Sequence, residues 1–346
     1  MIRPSNINSI KQLANYLRCS EEFLSNLIEG QIEIRDYHRL EKYSLDVNSK
    51  FKKTDNIIAH IDKFSIPKKN APTQYRVVYS VDSFELSNIL KGLSTSLSEI
   101  YTHLDIVHGF VENRNIKTNA NCHLTKKLLL SVDIKNFFES ITSTMVEFAF
   151  RKMGFETSIS EILASIVTIS GHLVQGYNTS PLIANIVTEN IDKELISLCA
   201  NNITYTRYAD DLYFSSDVQL PDLNQIEEII NKYDLKLNHD KTKLMKRGSQ
   251  QYVTGLTIFD GKGPRIPKII KRRLRLETHY IDKYGYEEHC IRRLNYTLEE
   301  YNNSPEIQTL VHKECSKTRH RIFGWLYFIK SIEPNFYQKL IYKINK

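Results

Sequence analysis

Ile203-Thr-Tyr-Thr-Arg-Tyr208-Ala209-Asp210-Asp211-Leu-Tyr-Phe-Ser215 is the stretch on which the reading of this chain turns. Two short runs of β-branched and aromatic residues flank a break of one small residue and two acids. The pattern predicts a hairpin with Asp210 and Asp211 at its tight turn. Aspartate is frequent in turns, and a surface loop is the plain alternative. The flanks are apolar enough to be buried, however, and adjacent buried carboxylates repel each other unless a cation lies between them. A further acid is placed similarly upstream. Leu128-Leu-Leu-Ser-Val132-Asp133-Ile134 is an apolar strand carrying one acid, followed by Lys135-Asn136-Phe137-Phe138. A strand acid and a hairpin pair can converge on two divalent ions, as two-metal phosphoryl and nucleotidyl transfer requires.

The chain has 346 residues, 41% apolar and 25% charged, the balance of a globular protein with two or three structural units. No apolar run approaches a membrane-spanning length, and Met1-Ile-Arg-Pro-Ser5 lacks the apolar core of a signal peptide. No membrane partner is expected. Cys19, Cys122, Cys199, Cys290 and Cys315 form no Cys-x-x-Cys pair, which argues against zinc and a disulfide framework and for a cytoplasmic location. Net charge is +7, but from Lys241 onward 22 basic residues face 10 acidic ones, a local +12 that leaves −5 upstream. A basic C-terminal third with interleaved tyrosines suits a nucleic-acid-binding face, against the alternative of a solvated helical surface.

Tyr208-Ala209-Asp210-Asp211 resembles the YxDD box of reverse transcriptases. Its companions follow in order: Asn119-Ala120-x-x-His123, Gln175-Gly176-x-x-x-Ser180-Pro181, Leu235-Lys-Leu-Asn-His-Asp-Lys241-Thr242 and Val253-Thr254-Gly255. Together they resemble the retron branch of that family. The resemblance implies an α+β right-hand polymerase fold with fingers, an antiparallel-sheet palm and a helical thumb. It places a helical N-terminal extension at 1–64, fingers and palm at 65–250 and a basic helical thumb at 251–346. It also implies RNA-templated DNA synthesis with two Mg²⁺ ions held by Asp133, Asp210, Asp211 and the Ile134 backbone carbonyl. The partners implied are dNTPs and a cognate structured non-coding RNA that is both template and primer. Priming from a 2′-hydroxyl would give a branched RNA–DNA product (msDNA), with a separate effector or toxin protein in an anti-phage defence system. The alternatives are a group II intron or diversity-generating enzyme, an inactive RNA-binding palm, or a cyclase-like palm enzyme.

Residue by residue, Arg114 and Lys117 are candidate triphosphate clamps, guanidinium and ammonium groups being the usual partners of phosphate. His123 and Asn119 read more readily as a buried hydrogen-bonding pair fixing the fingers loop. Phe138, five positions after Asp133, stands where the family places an aromatic against C2′ of the incoming sugar. Alternation along a strand end would put Phe137 on the opposite side, in the core. Gly176 lets the backbone approach nucleotide and template base, and Gln175 can bond sugar or template backbone. Pro181 starts a helix running to about Cys199. Lys241 is a candidate general acid for pyrophosphate or a phosphate ligand, with a plain surface lysine as the competing view. Arg272, Arg273 and Arg275 are expected beside a stem of the cognate RNA. Residues 8–30 show two helical patterns meeting at a Ser20 cap and closed by Gly30, a packing element rather than a helix-turn-helix.

Overall fold

The computed structural model describes residues 3–30, 32–41, 44–47, 57–68, 71–199 and 202–344. The chain forms two units, Met1–Asn115 with Leu130–Leu244, and Ile116–Leu129 with Met245–Lys346. Residues 116–129, expected with fingers and palm, thus belong with the C-terminal third.

The first unit opens with α1 (Ile10–Leu17) and α2 (Glu21–Ile28). The Ser9 and Ser20 hydroxyls accept the N–H groups of Gln12 and Phe23 at 3.3 and 3.1 Å, each satisfying a donor the helix cannot. Gly30 follows α2 at φ 79, the left-handed stop that glycine takes without strain. Leu13, Leu17, Leu24 and Leu27 point into the unit's core, so the helical pair packs rather than projects.

The rest of the extension is not helical. β1 (Ile32–Glu41), β2 (Ser44–Val47), β3 (Ala59–Lys68) and β4 (Ala71–Val81) form a sheet in the order β2-β1-β3-β4. The reason is visible in Ile32-Glu-Ile-Arg35, which alternates with the period of a strand. β1 runs parallel to β3, and side chains pair in register: Arg35 with Asp62 at 2.6 Å, Asp36 with Lys63 at 2.7 Å, and the His60 ring with the Glu33 carboxylate at 2.9 Å. Such partly exposed pairs contribute about 0.2–1 kcal/mol each, enough to select one register. The β3–β4 connection falls within Pro67-Lys-Lys-Asn-Ala-Pro72, whose Lys69 and Asn70 lie outside the described residues.

α3 (Phe84–Ile100), capped by Ser83, buries Leu86, Ile89, Leu90, Leu93 and Leu97. α4 (Ile116–Asn121) belongs to the second unit. Next come β5 (Leu128–Asp133), which belongs to the first unit from Leu130 on, then α5 (Phe137–Ser140), α6 (Ser143–Lys152), α7 (Thr157–Val167) and a small hairpin of β6 (Thr168–Ile169) with β7 (His172–Leu173). The helix expected from Pro181 to Cys199 is two: α8 (Ser180–Val187) and α9 (Glu189–Leu198). At the junction the Thr188 hydroxyl donates to Ala184 O at 2.8 Å, back-bonding of the kind that bends helices. β8 (Thr204–Tyr208) and β9 (Asp211–Ser216) pair antiparallel, α10 (Leu223–Lys232) follows, and β10 (Lys243–Lys246) completes the sheet order β10-β5-β9-β8.

In the second unit α4 packs on a short hairpin of β11 (Tyr252–Val253) and β12 (Leu256–Thr257). The Thr254 hydroxyl donates to Ile116 O at 3.0 Å. Asn119-Ala-x-x-His123 and Val253-Thr-Gly255 therefore meet in space, and Asn119 and His123 are both fully buried there rather than in a fingers loop. The helices α11 (Lys268–Arg293), α12 (Leu298–Asn303), α13 (Pro305–Ile332) and α14 (Pro334–Ile344) complete the unit. Buried Glu333 fixes the start of α11, accepting from Ile266 N–H at 2.7 Å and Lys271 Nζ at 2.6 Å. Among the described residues no helix is long and apolar enough to cross a membrane.

Candidate active site

Tyr208 faces Asp211 across the β8–β9 register, so the turn is Ala209-Asp210 and Asp211 already opens β9. Ala209 sits at φ 56, the left-handed backbone that two-residue hairpin turns demand. Beside it the chain from Ile106 to Gly109 lies along β8. Arg207 N–H donates to Ile106 O at 2.9 Å and His108 N–H to Arg207 O at 2.8 Å. A Cβ on Gly109 would stand 2.4 Å from Ala209 N, which explains the glycine in His108-Gly109-Phe110.

Beneath the turn lies a buried polar cluster that the sequence reading missed. Arg207 is 1% and Asp192 0% exposed. The guanidinium meets the carboxylate through Nε at 2.9 and 3.0 Å and Nη2 at 2.8 Å. Tyr205 Oη donates to the same carboxylate at 2.8 Å. Arg207 Nη1 also donates to Asn185 Oδ1 at 2.9 Å, and Asn185 Nδ2 donates to Gly109 O at 3.0 Å. The available signal was period-two placement of Tyr205 and Arg207 on one strand face, with Asp192 on the helix before.

Asp133 ends β5 and is buried, and Ile134 N–H donates to Asp210 O at 3.0 Å, joining the strand end to the hairpin turn. Lys135 N–H to Lys236 O and Asn238 N–H to Asp133 O, both 2.8 Å, hold the backbone on either side of Ile134. Burial, reinforced by Asp133, raises the Asp210 pKa, while Lys241 and Arg76 pull against it. Asp211 is pushed up to about 7 by burial and then by the charges of Asp210 and Asp133. Lys241 Nζ lies 2.8 Å from Asp133 Oδ2. Its burial lowers its pKa, but the bond to Asp133 and the charges of the acids outweigh that and hold the ammonium protonated. Sequence had offered Lys241 as an acid, a ligand or a bystander; the structure pairs it with a catalytic candidate.

Three hard oxygen donors, of which burial and neighbouring negative charge raise the pKa of Asp210 and Asp211, fit a divalent cation chemically. Among the described residues no three His, Cys, Asp or Glu side chains converge on one metal position as they stand, and Lys241 supplies the positive charge at Asp133.

The other expected residues divide. Asn136, three residues past the end of β5 and at φ 49, caps the single turn of α5, so Phe137 and Phe138 do not alternate as on a strand. Phe137 is buried and Phe138 half-buried, with their rings edge to face at 5.5 Å and Phe110 6.2 Å beyond Phe138. Gly176 sits at φ 114, and a Cβ there would lie 1.9 Å from Tyr79 O. The neighbour that demands a glycine is therefore β4, whose Tyr79 N–H also donates to Gln175 O at 2.8 Å. Arg114 donates through Nη1 to Leu104 O and Val107 O at 2.7 Å each and through Nη2 to Asp105 at 3.2 Å. These bonds commit it to folding its own loop. Lys117 belongs to the second unit, 3.3 Å from Ser331 O, so the two do not form a clamp within either unit. Arg76 on β4, which the sequence analysis did not assign, is an arginine whose charge reaches Asp210. Arg272, Arg273 and Arg275 are exposed on α11, with Arg275 also stacked 5.0 Å from the Phe336 ring.

An acid strand end, an acid hairpin turn and a lysine beside them in a mixed α+β chain define the class of a palm-type nucleotidyl transferase. Residues 66–281 match the family model described as reverse transcriptase (RNA-dependent DNA polymerase), and the chain belongs to that family. Its members generally use divalent metal ions. The chain is similar to the retron Mx162 reverse transcriptase of Myxococcus xanthus, 32% identical over 222 residues, 53% of this chain and 46% of that protein. It is similar also to the retron Ec86 reverse transcriptase of Escherichia coli, 28% identical over 296 residues, 82% and 80% of the two chains. The match thus spans about half the length of the Myxococcus relative and four-fifths of the E. coli one. A solved apo telomerase from Candida tropicalis, truncated from its C-terminal domain, superposes with TM-score 0.41 at 13% identity, covering 59% of this chain and 54% of that one.

Proposed function

We propose that the chain is an RNA-directed DNA polymerase of retron type, working in the cytoplasm on its own structured non-coding RNA. The observation that carries this reading is the junction of Asp133 with the Asp210–Asp211 turn, buried and with Lys241 beside it. Two Mg²⁺ ions, held by Asp133, Asp210, Asp211 and the Ile134 carbonyl, would activate the attacking hydroxyl and neutralise the transferring phosphates. Lys241, once released from Asp133, has the charge and the proton to meet a departing pyrophosphate. With Arg114 committed to its loop, Arg76 takes the triphosphate role that sequence had given to Arg114 and Lys117. Gln175 and Gly176 lie against β4 and would border the nucleotide and template base. Synthesis primed from a 2′-hydroxyl would leave msDNA, passed on to a separate effector in phage defence. The test is extension of a DNA primer annealed to an RNA template by the purified protein with dNTPs and Mg²⁺. Absence of any DNA product would overturn the reading.

Phe138 stands half-exposed beside Phe110 and would be the wall against a 2′-hydroxyl. Phe138→Ala is expected to raise ribonucleotide use relative to deoxynucleotide use by about tenfold or more, the scale of an apolar contact of 1–3 kcal/mol. Single-nucleotide incorporation with each substrate reads the ratio, and an unchanged ratio moves the gate elsewhere.

The exposed arginines of α11 suit the phosphates of an RNA stem. Arg272→Ala with Arg275→Ala is expected to lower the slope of log affinity against log salt by roughly one unit per lost contact. Self-primed synthesis should suffer more than extension of a simple annealed primer. A wild-type slope in a salt titration of RNA binding removes these residues from the interface.

A further inference from the structure

The second unit holds a cleft of about 680 Å³ whose walls come largely from two halves of one helix. At Gly285, α11 leaves helical geometry with φ 75 and ψ 172, a combination open essentially to glycine alone. On an unbroken helix Tyr280 and His289 would be about 13.5 Å apart along the axis. The break brings their rings to a centroid separation of 6.2 Å, within 14° of parallel. Tyr284 lies 6.2 Å from Tyr280 on the same terms, 15° from parallel. Three aromatic rings thus share one orientation at an open cleft, where Tyr280 is 40% exposed.

Around these rings the charges are sorted. Arg292 lies over the Tyr284 ring at 4.5 Å, and Arg273 stands exposed at the wall. Glu277, the acid in the wall, is already held by Arg321 at 2.7 Å and Arg293 at 3.4 Å. Glu288 is held by Arg292 at 3.0 Å. His289 Nε2 is shut from water with no hydrogen-bond partner among the described residues, the kind of buried polar atom that calls for an explanation. Burial lowers the His289 pKa, which keeps the ring neutral and able to stack or to exchange a hydrogen bond with a base edge.

We propose that this cleft takes one unpaired nucleotide of the bound RNA, its base stacked on the Tyr280, Tyr284 and His289 rings and its phosphate held by Arg273 and Arg292. The inference rests on the reading of the second unit as the RNA-holding surface and adds what that surface selects. Parallel aromatic faces beside guanidinium groups favour an unstacked base, because every base offers a π-face and a paired one has already spent it. The cleft volume lies within the range of small-molecule sites and is far too small for a duplex.

The experiment uses the full chain and two probes, a short single-stranded RNA carrying 2-aminopurine and a fully paired RNA duplex of the same length. Wild type should bind both and quench the 2-aminopurine fluorescence. Tyr280→Leu and Tyr284→Leu should each weaken single-strand binding by about tenfold and abolish quenching, with duplex affinity held within about twofold. Tyr284→Phe, which keeps the π-face, should behave as wild type. Wild-type quenching in both leucine variants overturns the proposal, as does equal loss of the two probes, which would mark a structural role. A wild-type protein that binds neither probe overturns the RNA-holding reading beneath it.

Discussion

Asp210→Asn should reduce DNA synthesis on an RNA template by at least about a thousandfold, some 4 kcal/mol of transition-state stabilisation at 1.36 kcal/mol per decade. The substitution keeps the shape of the turn, because Asp210 is anchored through its backbone carbonyl by Ile134 N–H rather than through its carboxylate. What it removes is a charge that burial and Asp133 already disfavour. The variant should therefore fold at least as well as wild type, and its affinity for RNA should stay within about twofold, since a phosphate backbone is bound by basic groups rather than by a carboxylate. Primer extension, thermal unfolding and RNA binding measured on one preparation separate these outcomes. Extension by Asp210→Asn near the wild-type rate would sink the active-site assignment, whatever its stability.

Arg207→Leu carries the largest expected loss of stability, about 3–5 kcal/mol, because it strands a fully buried Asp192 carboxylate with the Tyr205 hydroxyl as its remaining partner in the cluster. Domains of this kind are stable by only about 5–15 kcal/mol, so the change approaches the point of unfolding. Replacing Asp192 with Leu as well should recover part of the loss, since a buried ion pair as a whole adds little over apolar residues of similar volume. The pair's specific contribution is positional. It holds Asn185, and through Asn185 the carbonyl of Gly109, against the acid turn. The double variant should thus remain less active than its recovered stability suggests. Denaturant unfolding of both variants, with extension assays, checks this. An Arg207→Leu protein as stable as wild type would show that the cluster does not hold the hairpin.

How far sequence could see depends on whether the information was local. The hairpin acids, the Ser20 cap, the Gly30 stop and Pro181 at the start of α8 are each written in a few adjacent residues, and the structure contains all of them. The first strand of the extension was equally local, in the alternation of Ile32 to Arg35, but the helices before it drew the whole segment into one reading. Gly176 was legible as a glycine needing a close approach, read there as the nucleotide's, whereas the neighbours that the fold sets against Gly176 and Gly109, Tyr79 and Ala209, lie about a hundred residues away. Arg114 shows the converse. Its type suits phosphate, and only the fold reveals that carbonyls of its own loop have taken the donors. Cations near acids are ambiguous in sequence because the same guanidinium serves a ligand, a loop or a buried partner. Arg76, Arg114 and Arg207 illustrate the three cases, Arg76 by proposal and the other two by their bonds.

The second unit is assembled from two separate lengths of chain, and that bears on any attempt to build hybrid enzymes. Transplanting only the segment after Leu244 from a relative would leave the recipient's own Ile116–Leu129 in place. The incoming hairpin at Thr254 would then meet a foreign α4, with the Ile116 carbonyl and the buried Asn119 and His123 drawn from the other parent. A seam designed from the linear order of motifs therefore cuts through a packed core. Exchanging the two lengths together keeps that core of one lineage, and the hybrid can then be judged on which RNA it accepts rather than on whether it folds.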